Sequence, residues 1–553
     1  MGKRRKLHLA LAGSTTKTSQ ISEEVGRKES AFCSQTSRKL FIFLNSEDWG
    51  LVRARAPLIR YLTVNMGLLF REESSLATSM AAPPQKLHVM AVTFGAQGLI
   101  NPLLQLSKNL AAAGLLVTFA ATDSAGRKMR DAKDVPGSPL RFAFFSDEWG
   151  HHVGQSEFDA YMAHMASVGP GSLAQLIRAV ESRGPPVSCI VGDPFLPWVA
   201  DVAHALQIPY ALLWSQPYTV FLLYFRHYCL HNLLLSSSGA VDDDLTVDFP
   251  GLPELRHRDL PTYLLPTSPL VVLNTTLSNT FSKLKLGNWV LVNSFDDLEC
   301  DVIQSNQSPL PYPVLTVGPL TRYPDDTESR GDMWQPTSDC LDWLDTQASS
   351  TVVYISFGSY LQRSQAQMEE IAAALRRSRR PFLWVVKPLE KEASPELPEE
   401  FTAATAGQGR VVYWAPQVEV LSHASVGCFV THCGWNSSLE SIVAGVPVVG
   451  FPEIGDQVTN AMLLEEVYEM GVRLRRGADG VVGREEVEAR MEEVLTEPRM
   501  SELKKNALRW REAARKAASG DGSLSLNLKK FVDDLSVLSS ENSRCRGSGE
   551  NSQ

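Results

Sequence analysis

The chemistry-bearing residues of this chain crowd into Trp414–Gln457, WAPQVEVLSHASVGCFVTHCGWNSSLESIVAGVPVVGFPEIGDQ. Two tryptophans, a histidine closing an apolar run, an Asn-Ser pair, a glutamate and a terminal Asp-Gln occur in an order that core packing does not require. Gly434-Trp435-Asn436-Ser437 stands between the apolar run Gly427–Thr431 and the helical pattern Leu439–Val443. This predicts a helix N-terminus directly after a buried strand. Such an end presents unpaired amides and the positive pole of the helix dipole, so it holds a pyrophosphate without any lysine. Asn436 and Ser437 add donors, Trp414 offers a flat π face, and Glu440, Asp456 and Gln457 suit diols and sugar hydroxyls. Each aromatic taken singly is equally a core residue, but the joint order points to a nucleotide-sugar site.

The elements that must position these residues follow from the hydrophobic pattern. From Leu87 short apolar runs alternate with helical stretches: LHVMAVTF, then PLLQLSKNLAAAG, then LLVTFAAT, with Gly114 closing the helix. Further runs at Leu140–Phe145, Cys189–Val191, Tyr210–Trp214 and Trp289–Val292 extend one parallel sheet. The polar segment Thr321–Ser338 breaks the pattern and is read as a linker. Alternation restarts with Thr351–Phe357, Phe382–Val386, Arg410–Trp414, Gly427–Thr431 and Val446–Phe451. Two doubly wound α/β domains are expected, with the site in the cleft at the C-terminal ends of the strands. The boundaries read as 80–320 for an acceptor-binding domain, 321–338 for the linker, 339–520 for the donor domain, 521–539 for a helix returning to the first domain, and 540–553 for a disordered polar tail.

The Trp414–Gln457 segment resembles, without a gap, the donor signature of the plant family-1 UDP-sugar glycosyltransferases, and the resemblance extends over roughly Leu87 to Leu538. It implies the GT-B architecture, two Rossmann-like domains facing a cleft, and an enzyme that transfers a hexose from UDP-glucose to a small lipophilic metabolite with inversion. By similarity Trp414 stacks on uracil, the Ala415 backbone pairs with the base edge, Gln417 and Glu440 approach the ribose, and His432, Asn436 and Ser437 meet the phosphates. Trp435, Asp456 and Gln457 touch the sugar, and the terminal Gln resembles the glucose-preferring form. Gly358-Ser359 fits the phosphate-side loop, although a plain strand-to-helix turn reads equally well. No metal or cofactor is implied, because the helix terminus and His432 take the phosphate charge. LLWSQP, FPGLPELRHRDLPTYLLP and VNSFDDLE most resemble the branch of indole-3-acetate β-glucosyltransferases and anthocyanin 5-O-glucosyltransferases.

Composition excludes several other classes. The 553 residues carry a formal net charge of −9, which argues against nucleic acid as a partner. No apolar run reaches the roughly 18–20 residues that span a bilayer. Eight cysteines lie without a disulfide framework or zinc-like spacing, Cys428 and Cys433 reading as buried thiols, so a monomer in the reducing cytoplasm is expected. Asp242-Asp243-Asp244 is read as a solvated acidic loop. Residues 1–79 are basic, Ser/Thr-rich and aperiodic, and fall outside the family pattern. They are read as a disordered extension or an artefact of start assignment ahead of Met80, with an organelle transit peptide as the alternative.

The acceptor half departs from the resemblance at one position. Family members carry the catalytic base, a histidine, in a loop similar to PAQGHINP; here Gly95-Ala96-Gln97-Gly98-Leu99-Ile100-Asn101-Pro102 places Leu99 there. His88, at the far end of the preceding strand, does not replace it. Asp193, in Cys189-Ile190-Val191-Gly192-Asp193-Pro194-Phe195, matches the carboxylate that orients the missing histidine, and equally reads as a turn-initiating Asp. Gln216, in Trp214-Ser215-Gln216-Pro217, belongs to the loop that shapes the acceptor pocket. Three readings accommodate Leu99. A carboxylic-acid acceptor is already ionised and needs no base; Asp193 itself serves as base; or the chain is a weakened UDP-sugar-binding relative that acts as a sensor. Ile454 also stands where relatives commonly carry Trp, leaving a less bulky wall beside the sugar.

Overall fold

A computed structural model describes residues 86–129, 131–150, 157–230, 246–265, 271–306, 310–323, 331, 339–358, 363–386, 397–398 and 400–549, with side chains to 541. Residues 1–79, the Asp242–Asp244 loop and Ser359 lie outside the described residues. Seven parallel strands form the first sheet: β1 (His88–Val92), β2 (Leu116–Thr122), β3 (Leu140–Phe145), β4 (Cys189–Gly192), β5 (Tyr210–Trp214), then, after the short pair β6 (Thr246–Val247) and β7 (Leu255–Arg256), β8 (Trp289–Val292) and β9 (Val314–Thr316). Their order is β3-β2-β1-β4-β5-β8-β9. The second sheet holds β10 (Val352–Ser356), β11 (Phe382–Val385), β12 (Gly409–Val412), β13 (Val426–Thr431), β14 (Val448–Gly450) and β15 (Gly471–Arg473), in the order β12-β11-β10-β13-β14-β15. Both sheets are parallel throughout, and both reverse direction of growth beside their first strand, as the doubly wound expectation requires. The three-residue strands β9 and β15 are the edges that the pattern did not announce.

Central strands are apolar on both faces because helices cover both sides of a parallel sheet. HVMAV of β1, LVTFAAT of β2 and VGCFVT of β13 are buried at every position. Helix α1 (Gln97–Ala112) begins earlier than its apolar pattern suggested, so Pro102 lies inside it and the Gly95–Pro102 stretch is a turn plus the first helical turns, not an open loop. Pro102, in the second turn, cannot donate to Gly98 O, and that carbonyl accepts from the Asn436 side chain instead. His88 is committed at the other end of β1, where Nδ1 and Nε2 face Pro185 O at 3.0 Å and Thr118 Oγ1 at 2.8 Å.

The last helix returns to the first sheet. In α2 (Ser523–Gly549), Leu524, Leu528, Phe531 and Leu535 recur at helical spacing and join the apolar cluster of Val117, Phe119, Trp289 and Leu315. Phe531 meets Trp289 edge-on at 5.1 Å, and Asn527 Nδ2 donates to Thr316 O at 2.9 Å. Helical backbone runs on to Gly549, so most of the segment expected as a tail continues this helix. Of the segment read as a linker, Thr321 is buried. No described helix is long and apolar enough to cross a membrane. Truncating the fully buried ring with Phe531→Ala is expected to cost about 3–5 kcal/mol in urea denaturation; a change below about 1 kcal/mol would show that α2 contributes little to the first domain.

Candidate active site

The donor side is built where β13 ends. Helix α3 (Trp435–Ala444) starts immediately after His432-Cys433-Gly434, and Gly434 caps it without a side-chain hydrogen bond. Its first amides therefore face the cleft unpaired by the helix. The His432 ring is held between two backbones. A Cβ on Gly358 would come within 2.8 Å of the ring and one on Gly434 would collide with Nε2, while Gly358 also has φ +75°. Both positions need glycine, one for conformation and both for space. Burial, with help from the Arg363 guanidinium, pushes the His432 imidazole down to about 3. The ring is therefore neutral near pH 7 and offers one N–H as a dipole. Asn436 Nδ2 donates to Gly98 O at 2.9 Å, tying the start of α3 to the turn that carries Leu99.

A second cluster gathers Gln417, Ser437 and Glu440. Gln417 Nε2 donates to Ser437 Oγ at 2.9 Å and to Glu440 Oε2 at 2.6 Å, and the Tyr354 hydroxyl donates to Gln417 Oε1 at 3.0 Å. Burial raises the Glu440 carboxyl to about 7 against the pull of Gln417. Trp414 and the buried Ala415 lie in the turn between β12 and the helix Gln417–Ser422, so the residues matched to the base and the ribose share one wall.

Asp456 sits where both domains meet. Its Oδ1 accepts from Gln216 Nε2 of the first domain at 3.3 Å and its Oδ2 from Asn460 Nδ2 at 2.6 Å. Burial lifts this carboxyl to about 6. Gln457 Oε1 accepts the amides of Glu453 and Ile454 at 3.0 and 3.3 Å, so the side-chain amide is anchored through its oxygen. The Trp435 ring is 3% exposed and its Nε1 donates to Asn293 O at 2.6 Å. The ring thus bonds across to the first domain instead of standing open in the cleft.

On the acceptor side Leu99 is buried in the first turn of α1, within the apolar cluster of Phe94, Tyr161, Trp198 and Trp214. Asp193 follows β4 beside the end of β1, since Val92 pairs with Gly192. Its Oδ1 accepts the Phe195 amide at 2.8 Å, the turn-forming role. Its Oδ2 is buried with no hydrogen-bond partner among the described residues, and burial pushes the carboxyl up to about 7. Hydrogen bonding from the Thr93 side chain and from the Phe195 and Leu196 amides pulls the carboxyl the other way, against the larger effect of burial.

Several residues escaped the sequence reading. Tyr354, Asn293 and Asn460 look like ordinary strand or helix residues until their partners are known. The segment around HRDLPTY grips the loop that carries Asp456: Thr459 Oγ1 donates to Asp259 O at 2.7 Å, Gly455 N to Thr262 Oγ1 at 2.7 Å, and Thr262 N to Gly455 O at 2.9 Å. Arg473 Nη1 donates to the buried Asp259 Oδ1 at 2.6 Å. Asp259 directly follows Arg256-His257-Arg258, a polar run that gives no sign of a buried carboxylate.

Comparison with known proteins agrees with this geometry. The family model described as UDP-glucoronosyl and UDP-glucosyl transferase matches residues 317–512. Gallate 1-beta-glucosyltransferase of Quercus robur is 41% identical over 82% of this chain and 90% of its own length. UDP-glycosyltransferase 84A1 of Arabidopsis thaliana is 41% identical over 84% and 97%, and cinnamate beta-D-glucosyltransferase of Fragaria ananassa 39% over 82% and 83%. The crystal structure of Os79 from O. sativa in complex with UDP superposes with a TM-score of 0.72 at 31% identity, over 81% of this chain and 100% of that one. The two-glycine slot gives a direct check: Gly434→Ala displaces the His432 ring and is expected to weaken UDP by about ten-fold or more in calorimetry, whereas unchanged affinity would mean that the ring position is irrelevant to the donor. With a donor signature converging at the end of β13 and relatives matching along most of its length, the chain belongs to the plant family-1 UDP-glycosyltransferases and is a GT-B enzyme that transfers a hexose from a UDP-sugar.

Proposed function

We propose that this enzyme transfers glucose from UDP-glucose to the carboxylate of a small aromatic acid, giving a β-glucose ester with inversion. The observation that carries the reading is Leu99, a buried apolar side chain in the first turn of α1 at the position matched to the family's base. A carboxylic acid with a pKa of about 4–5 arrives ionised, so its oxygen attacks the anomeric carbon without losing a proton to the protein. The bond from that carbon to the diphosphate breaks, and UDP leaves with the electron pair. The α3 amides, Asn436, Ser437 and the neutral His432 N–H meet the charge, with no cation required. Trp414 and Ala415 hold the base, Gln417 and Glu440 the ribose, Asp456 and Gln457 the sugar, and Ser359 completes the phosphate side. The gallate and cinnamate glucosyltransferases among the relatives act on acids, which supports the same acceptor class here. The six described cysteines are all free, in keeping with a cytoplasmic enzyme, and a monomer satisfies the site because both halves of the cleft lie on one chain.

A carboxylate acceptor near Asp193 favours the protonated form of that residue, which then donates to the acceptor instead of repelling it. A second reading makes Asp193 the base for phenols, and its carboxyl at about 7 favours that role near neutrality. The two readings differ in sign. Asp193 loses its proton as pH rises through 7, so base catalysis rises with pH up to about 8, while transfer to an acid is level or falls. We expect kcat/KM for hydroxybenzoic acids not to rise between pH 6 and 8, and Asp193→Asn to keep turnover within about ten-fold. A steep rise, together with loss of activity in Asp193→Asn, would establish the base reading instead. Leu99→His is expected to raise turnover of phenols about 10²-fold; no gain would mean that the site rejects hydroxyl acceptors for reasons other than a missing base.

A further inference from the structure

Arg363 is a buried charge on the donor side to which the reaction assigns no task. Its side chain is 3% exposed, and its guanidinium carbon lies 4.3 Å over the Phe357 ring and 4.5 Å over the Phe451 ring. Those rings meet edge to face at 5.5 Å. Nη2 donates to Phe451 O at 3.3 Å, and Nη1 is ion-paired with Glu453. Burying a guanidinium is costly unless a carboxylate and acceptors compensate, and here all of them come from one short loop.

That loop leads straight to the sugar-facing residues. The Glu453 amide is one of the two that hold Gln457 Oε1, and the Glu453 carboxylate also lies 3.7 Å from Arg476 Nη2. Arg476 donates to Pro452 O at 3.2 Å and faces Phe451 at 5.5 Å. Residues 451–453 are therefore fixed from two sides before the chain reaches Asp456 and Gln457. With Oε1 occupied, the direction of the Gln457 Nε2 follows from where this loop sits.

We propose that Arg363 is a positioning residue for donor-sugar selection: by clamping Phe451 and Glu453 it fixes the loop that aims Gln457 and Asp456 at the sugar hydroxyls. This rests on the reading of Asp456 and Gln457 as sugar-facing. Epimeric donors differ in where one hydroxyl points, so a loop free to shift by about an ångström stops telling them apart. Arg363 acts through the loop, since its polar contacts go to Phe451 O and the Glu453 carboxylate.

The test measures dissociation constants of UDP, UDP-glucose and UDP-galactose by calorimetry on the full chain and on Arg363→Met, Glu453→Gln and Gln457→Ala. Arg363→Met, which also removes the charge beside His432, is expected to cut the preference for UDP-glucose over UDP-galactose about ten-fold on top of any common change in UDP affinity. Glu453→Gln, which keeps the guanidinium between its rings, shifts the preference in the same direction and carries the test if Arg363→Met does not fold. A parallel loss for all three ligands, an unchanged preference in both variants, or a parent chain without preference overturns the proposal. If Gln457→Ala alone changes the preference, the clamp fails while the sugar-facing reading stands; if Gln457→Ala leaves it unchanged, both fail.

Discussion

The cleft depends on a guanidinium shared between its two walls. Arg473 of the second domain pairs with its neighbours Glu465 and Glu466 and reaches across to Asp259, which is 1% exposed. A charge as buried as Asp259 is strongly destabilising when left alone, so the domains separate only at the cost of stranding it. The Trp435 to Asn293 bond and the grip of Thr262 on Gly455 act in the same direction. This matters for the proposed chemistry, in which the first domain holds the nucleophile and the second the leaving group. Displacement at one carbon tolerates little error between them.

A second constraint follows from enclosing the site. Burial moves each ionisable group toward its neutral form: His432 down to about 3, Asp193 and Glu440 up to about 7, Asp456 up to about 6. The groups that line the cleft thus carry less charge than their residue types suggest. An anionic donor and an anionic acceptor enter a space whose carboxyls are partly protonated and whose histidine donates without being charged. Neutral dipoles already in place, the α3 amides foremost, then take the charge that develops on the leaving diphosphate. Asp193 fits this scheme better as a proton donor to an acid than as an anion beside one.

Much of this was legible in the sequence, for identifiable reasons. Parallel strands covered on both sides read as continuous apolar runs, so β1, β3, β5, β8 and β13 fall where the pattern placed them. The short edges β9 and β15 bury too few residues to announce themselves. Gln417, Ser437 and Glu440 converge because a helix and the turn before another bring them to one wall, and their order in the chain hinted at it. The neutrality of His432 was not legible, because it depends on Gly358 and Arg363, which are remote in sequence. The clasp by Asp259 and Thr262 was likewise hidden, since interdomain partners leave no periodic trace. Leu99 was visible as a departure, yet its burial in the first turn of α1 came only with the fold.

A base-free acceptor side selects an acid over a phenol, and one product tests that selection. 4-Hydroxybenzoic acid offers one carboxylate and one phenol to the same pocket, and the linkage of the glucosylated product is read by NMR and by its lability in mild alkali. The predicted product is the alkali-labile 1-O-β-glucose ester. An alkali-stable phenolic glucoside as the main product would contradict the account and return catalysis to a protein base.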